Sequence, residues 1–368
     1  MKGRLPIGPL AAATRLPMLL ECDVEGTAIT SARLEALDDD FGYAPGFEGA
    51  GPVEGAAFAT RLCARSAVHL GWAFSLAVED ALGIDVPAEH DAMRVVLAEW
   101  ARVASHLEVV SDVARAVEDD LVYGRPRRYL RGIREAFEEA CGNAFGFGAV
   151  VPGGVALDSP SAAAEMLETL AGDGQTIGRD VAFWSRKLSL SGARLKVGRL
   201  DAKGLDGEAS AAVLRASGSR LDLRQADADE QGSYGGLSYK AARRDGGTAL
   251  DRTLVLLAEI KASVGLIGKV REAASGCDGA PAPVSPRKGT GAASIESPHG
   301  AVDCRVFLSS EGKIIRARLT SDASLLADLA APAMEGVSFE DAAASLASMN
   351  LCRCCIGLGG RERAGSED

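Results

Sequence analysis

Cysteines near the two ends of this chain offer the clearest chemistry. One lies in Arg61-Leu-Cys-Ala-Arg-Ser66, running into Trp72-Ala-Phe-Ser-Leu-Ala-Val-Glu-Asp-Ala-Leu-Gly83, and the rest of the set lies in Asn350-Leu-Cys-Arg-Cys-Cys355. A fold that joins these ends places Cys63, Cys352 and Cys355 around one point, and three thiols suit a soft transition metal. The competing reading of Cys63 is an ordinary buried thiol, because free Cys is among the most buried residue types. A zinc site of the common kind would bring a second C-x-x-C or paired His, and no such partner motif accompanies Cys352 and Cys355. Cys22, Cys141, Cys277 and Cys304 have no partner spacing.

The bulk properties bound what such a site can serve. With 368 residues, 47% of them hydrophobic and 25% charged, the chain can bury a sizeable core as one large domain or two. A net charge of −11 argues against a nucleic-acid surface and a broad anionic-lipid surface. No apolar run approaches the roughly 18 residues that a spanning helix needs. Lys2 and Arg4 precede Pro6, Pro9, Arg15 and Pro17, which break any signal-peptide core. The expectation is a cytoplasmic chain whose membrane link is made through a partner, with its eight Cys as free thiols or ligands.

The elements that must position the thiols follow from periodicity and turn chemistry. Leu16–Cys22 and Thr27–Leu37 read as two strands about Asp23-Val-Glu-Gly26, followed by an acidic, Gly-rich loop with Asp38 to Asp40. One helix is expected from Gly55 to Leu82, and a second from Ala88 with Met93, Val96, Leu97, Trp100, Val103, Ala104 and Leu107 at helical spacing. A basic loop, Arg125-Pro-Arg-Arg128, leads to a third that ends near Gly142. After a Val151-Pro-Gly-Gly154 turn, Ser159-Pro160 opens a fourth that runs to Leu188. Residues 189–249 read as irregular, and Thr248–Ala273 as a fifth helix. Gly276–Ala293 reads as an exposed loop, Arg305–Leu308 with Lys313–Leu319 as a hairpin, and two short helices close the chain. The class is α+β: a central long-helix bundle with small antiparallel β-sheets near both ends. The expected division is a β-hairpin and loop (1–54), the bundle with its irregular insertion (55–275), and a hairpin with terminal helices and the C-x-x-C (276–368).

These stretches together resemble a known family. The anchors are Leu62-Cys63, Ala77-Val-Glu-Asp-Ala-Leu-Gly-Ile84, Arg102-Val-Ala-Ser-His-Leu107, Pro152-Gly-Gly154, Leu214-Arg-Ala-Ser-Gly218 with Asp222-Leu-Arg224, Glu296-Ser-Pro-His-Gly300 and Cys352 to Cys355. In this order they resemble the large subunit of membrane-bound, energy-converting nickel–iron hydrogenases and, equally, the quinone-site core subunit of respiratory complex I. In the hydrogenase branch two C-x-x-C pairs hold a nickel–iron centre; Cys63, Cys352 and Cys355 fall on three of those positions and Ser66 on the fourth. Ala64 stands for the motif's Gly, Asn350-Leu351 for its Asp-Pro, and His69 is one residue short of its His. In the complex I branch the quinone headgroup is held by a His after Gly-Tyr and by an Asp beyond Ser-His-Leu; here Gly42-Tyr43 runs into Ala44, and Ala116 takes the Asp position.

The resemblance implies an oxidoreductase subunit of hydrogenase or NADH:quinone type, peripheral on the inner face of the membrane. It implies an iron–sulfur small subunit carrying the clusters and integral membrane subunits as partners. Any metal, a nickel–iron centre with one ligand replaced, would be held by Cys63, Cys352 and Cys355 and tuned by His299. His106 is expected to be a structural His inside the bundle, and Arg215, Asp222 and Arg224 an internal ion-pair network. The alternative is a non-catalytic structural or coupling subunit that keeps the fold without its metal and quinone sites.

Overall fold

Alternation of apolar and polar residues about Gly26 drives the first sheet. The computed structural model describes residues 2–7, 18–36, 42–202, 209–229, 233–277 and 280–360. Strands β1 (Lys2–Ile7), β2 (Met18–Glu25) and β3 (Ala28–Ala36) form an antiparallel meander, with Gly26 at φ 63° in the β2–β3 turn. The β1 strand was not expected from the sequence, because Gly3 and Pro6 obscure its pattern. The expected acidic loop at Asp38 to Asp40 lies outside the described residues.

The expected single helix over residues 55–82 is two. Helix α1 (Pro52–Arg61) ends before Cys63, whose extended backbone (φ −151°, ψ 115°) breaks the helical path; a 3-10 turn over Ala64–Ser66 then leads into α2 (Ala67–Leu82). The long α3 (Ala88–Ala116) follows. The expected basic loop is also helical: α4 spans Asp120–Cys141 with Pro126 inside it. Proline removes one helical donor, yet Val122, Tyr129, Leu130, Ile133 and Phe137 bury one continuous face, and that burial outweighs the lost bond.

Beyond the short pair β4 (Val150–Val151) and β5 (Gly154–Val155), helix α5 runs over Pro160–Leu190, where Ser159 Oγ accepts from the Ala162 N–H at 3.1 Å. The irregular stretch holds only short helices: α6 (Gly192–Leu195), α7 (Ala212–Arg215) and α8 (Leu223–Asp229). Thr248 and Asp251 cap each other at the start of α9 (Ala249–Ala274).

The final sheet has one strand more than expected: β6 (Gly289–Ser297), β7 (Gly300–Leu308) and β8 (Ile314–Ser321), in that antiparallel order. The sequence hides β6 because it starts Gly-Thr-Gly, yet those glycines let the strand lie directly on α2. Helices α10 (Ala323–Ala330), α11 (Ala342–Ser348) and α12 (Arg353–Ile356) close the chain.

Two apolar cores result. The first joins α3, α4, α5 and α9 around Trp100, Trp184, Leu107 and Ile260, all fully or nearly fully buried. The second unites the chain ends: Leu20, Ile29, Phe47, Phe74, Val302 and Leu319 pack with Cys63, Cys352 and Cys355. Helix α2 lies between the bundle and the β6–β8 sheet, which is why nearly its whole circumference is buried. The fold is α+β, a long-helix bundle with small antiparallel sheets. Among the described residues no helix is long and apolar enough to cross a membrane.

Candidate metal centre

Two of the site's three cysteines sit where the backbone leaves the helical region. Cys63 caps the 3-10 turn before α2, and Cys352, also extended (φ −129°, ψ 110°), caps α12, which carries Cys355. The sulfurs meet. Cys63 Sγ lies 3.5 Å from Cys352 Sγ and 3.6 Å from Cys355 Sγ, and all three residues are at most 2% exposed. These separations exceed a disulfide bond, and all the cysteines are free thiols. The Cys352 thiol is held well below its ordinary value, chiefly by hydrogen bonds from Cys354, Cys355 and Cys63. Cys63 and Cys355 are pushed up, chiefly by donating to Cys352. The cluster therefore favours one thiolate at Cys352, a nucleophilic and metal-ligating form.

His299 joins the cluster from the two-residue β6–β7 turn, and one of its ring nitrogens and the sulfurs of Cys352 and Cys355 all lie within 4.8 Å of one another. Its Nδ1 lies 3.0 Å from the Asn350 carbonyl, while its buried Nε2 has no hydrogen-bond partner. Asn350 stitches three segments together. It adopts φ 53°, which Asn tolerates better than most residues; its Nδ2 donates to the Pro298 carbonyl at 2.6 Å and its Oδ1 accepts from Arg65 at 3.1 Å. Arg65 also pairs with Glu108 at 3.2 Å, tying the Cys63 loop to α3.

All four residues singled out for the site, Cys63, Cys352, Cys355 and His299, are thus brought together. Sequence reasoning leaves Cys354 aside, yet its sulfur lies within 4.8 Å of those of Cys63 and Cys352. It also misses Asn350 and Arg65, whose only sequence signal is their place beside the cysteines.

Ser66 decides how the implied centre fits. Its hydroxyl is buried, 3.4 Å from Cys355 Sγ, where a fourth thiolate would be needed. A serine hydroxyl is harder and far less acidic than a thiol. These residues therefore do not fit a nickel–iron pair bridged by thiolates. The quinone-site position is altered too: the Tyr43 hydroxyl is engaged with the Leu319 backbone, its oxygen accepting from the Leu319 N–H at 3.1 Å, and Ala44 follows it.

Beside the thiols lies a buried charge network. Arg215 reaches Glu259 at 2.5 Å, Glu296 at 2.9 Å and Asp222 at 3.3 Å. Arg224 pairs with Asp222 at 2.8 Å and with Glu99 and Glu259 at 3.3 Å each, and Arg102 with Glu99 at 3.3 Å. His106 Nε2 lies 3.0 Å from Glu259. Burial opposes ionisation of Asp222, but Arg215 and Arg224 outweigh it and hold the carboxyl down to about 2. Burial pulls His106 down to about 4 against the opposing pull of Glu259. The His106, Arg215, Asp222 and Arg224 side chains thus occupy the structural positions expected of them. Glu99 and Glu259 were not anticipated, although acids on otherwise apolar helical faces were a readable signal. The network reaches the site through Glu296, three residues before His299 on the same hairpin.

Comparisons with known proteins agree with this architecture. A family model described as the 49 kDa subunit of respiratory-chain NADH dehydrogenase matches residues 128–282. An NADH-quinone oxidoreductase subunit of Salinispora tropica is 30% identical over 271 residues, covering 71% of this chain and 60% of that protein. The corresponding NADH-quinone oxidoreductase subunit of Desulfitobacterium hafniense is 25% identical over 298 residues, covering 80% of each. The chain thus spans about three fifths of the length of the Salinispora relative. Among solved structures, a chain of the membrane-bound sulfane sulfur reductase, an archaeal respiratory membrane complex, superposes with a TM-score of 0.85 at 20% identity, covering 97% of this chain and 98% of that one. That likeness establishes the fold. With the motif order, these matches make the chain similar to the 49 kDa subunits of respiratory-chain NADH dehydrogenase, in a fold shared with the sulfane sulfur reductase chain.

Proposed function

We propose that this chain is the large subunit of a membrane-associated oxidoreductase complex of the complex I and hydrogenase-like type. It pairs with an iron–sulfur small subunit that carries the clusters, and both dock on integral membrane subunits at the inner, cytoplasmic face. The observation that carries this reading is the convergence of Cys63, Cys352 and Cys355, from opposite ends of the chain, within 3.6 Å on either side of Cys63. The names of the relatives, which are subunits of NADH-quinone oxidoreductase, support the assembly. The buried Arg215–Glu259–His106 network beside the thiols holds charge without solvent.

A second reading has Ser66 in its favour. With the fourth thiolate replaced by a buried hydroxyl, the chain serves as a coupling or structural subunit, and electrons pass elsewhere in the complex. Affinity purification of the tagged chain from gently solubilised membranes tests the assembly. Reducible iron–sulfur signals and multi-span subunits that co-purify in fixed ratio support it; a chain that elutes alone from every detergent tried refutes it. Loss of electron transfer in the complex after Cys63→Ser favours the first reading over the second, provided that the subunit ratio is unchanged.

A further inference from the structure

The donors at the cysteine cluster fit a different metal from the dinuclear one that Ser66 disqualifies. We propose that Cys63, Cys352, Cys355 and His299 form a closed, mononuclear Cys3His site for a zinc-type ion that fastens the two ends of the chain together. The inference rests on the large-subunit reading only for where the thiols fall in the fold.

Geometry brings the three sulfurs together, with His299 beside two of them. A tetrahedral ion with metal–sulfur bonds of about 2.3 Å needs sulfurs roughly 3.8 Å apart; Cys63 stands 3.5 Å from Cys352 and 3.6 Å from Cys355. A His299 ring nitrogen and the sulfurs of Cys352 and Cys355 lie within 4.8 Å of one another. Because His299 Nδ1 is engaged with the Asn350 carbonyl, Nε2 is left as the lone pair for a metal, and that atom is buried and unpartnered. A ligating His commonly gives its second ring nitrogen to a carbonyl or carboxylate in this way. His299 thus supplies the fourth donor that Ser66 cannot, while Ser66 remains a hydrogen-bonding neighbour of Cys355 at 3.4 Å.

The alternative fourth ligand is Cys354, whose sulfur is close to those of Cys63 and Cys352. It is half-buried, whereas His299 is 1% exposed, and its immediate chain neighbour is the ligand Cys355. Two adjacent residues seldom point both side chains at one ion, so His299 is the better donor. Four protein ligands leave no open position, the arrangement of a structural site and not of a hydrolytic or hydrogen-splitting one.

X-ray absorption at the zinc edge, on the full chain with its co-purified subunits, reads the site directly. The expected shell is three sulfurs at about 2.3 Å and one nitrogen at about 2.0–2.1 Å. In the same preparation with Co2+ substituted, His299→Ala is expected to weaken binding at least 100-fold, Cys354→Ser to change it less than threefold, and His299→Cys to keep the ion and strengthen the thiolate charge-transfer band. A four-sulfur shell lost in Cys354→Ser, two metals per chain, or no zinc uptake in an intact preparation each overturns the proposal. A chain that holds the three-sulfur, one-nitrogen shell without any partner subunit upholds the site while sinking the assembly.

Discussion

Cys63 Sγ lies 3.5 Å from Cys352 Sγ although 289 residues separate them in the chain. That contact links the break between α1 and α2 to the start of α12, and the second apolar core is built around it. After metal removal with a chelator, mild oxidation with diamide should couple Cys63 to Cys352 or Cys355. Peptide mapping under non-reducing conditions should find that link. Oxidation joining Cys63 only to Cys22 or Cys304 would contradict the placement of the chain ends.

The charge network makes stability depend on pH with a fixed sign. His106 has a folded value of about 4 against about 6.5 when unfolded, so between these values the unfolded chain binds more protons. Its contribution is present above about pH 6.5 and is lost as pH falls towards 4. For this fully buried group the loss is on the order of 3 kcal/mol. Asp222, held to about 2, adds a further loss in the same direction once pH drops below its unfolded value of about 4. Urea midpoints should therefore fall from pH 7 to pH 4.5, with a shallower slope in His106→Gln; a flat profile in the parent protein would contradict this.

Arg215 faces three buried carboxylates, so Arg215→Met leaves Asp222, Glu259 and Glu296 short of a counter-charge. Removing one partner from such a set costs about 3–5 kcal/mol. The exposed pair Arg131–Glu135 is the control: Arg131→Ala should leave the denaturation midpoint unchanged within error. Equal effects at both positions would argue that the network carries no special stability.

Glycine in β6 is required by contact with α2. A Cβ on Gly291 would stand 2.1 Å from the Ala77 carbonyl and 2.5 Å from the Ala81 nitrogen, both backbone atoms that cannot step aside. Gly291→Ala should cost about 3 kcal/mol or more in thermal or chemical unfolding. Gly124→Ala, on α4 with nothing within 4 Å of its Cβ, should instead stabilise by about 0.5–1 kcal/mol. A tolerated Gly291→Ala would mean that β6 does not lie on α2.

The same glycines explain why part of the fold was hidden in the sequence. Helices α3, α5 and α9 were legible because their apolar spacing and caps are local: Ser159 before Pro160, and Thr248 with Asp251, mark two of the starts. Strand β6 was not, because its small residues answer to α2 and not to its own pattern. The break at Cys63 was also invisible, since Leu62 and Ala64 suit a helix and only tertiary packing makes Cys63 extended. Pro126 misled in the opposite direction, since the buried face of α4 overrides it. At the site, the cysteine spacings pointed to Cys63, Cys352 and Cys355, whereas the role of Asn350 depends on a turn that brings Pro298 and His299 to it.

Whether the thiols of both chain ends form a site without the fourth thiolate of a nickel–iron centre is decided by metal content. Nickel and iron are quantified per chain in the native complex, extracted gently with its partners. The expected result is no nickel, with all iron assigned to clusters of the partner subunit, and nickel uptake only after Ser66→Cys if at all. Nickel and iron bound together at about one of each per chain in the native protein would contradict it.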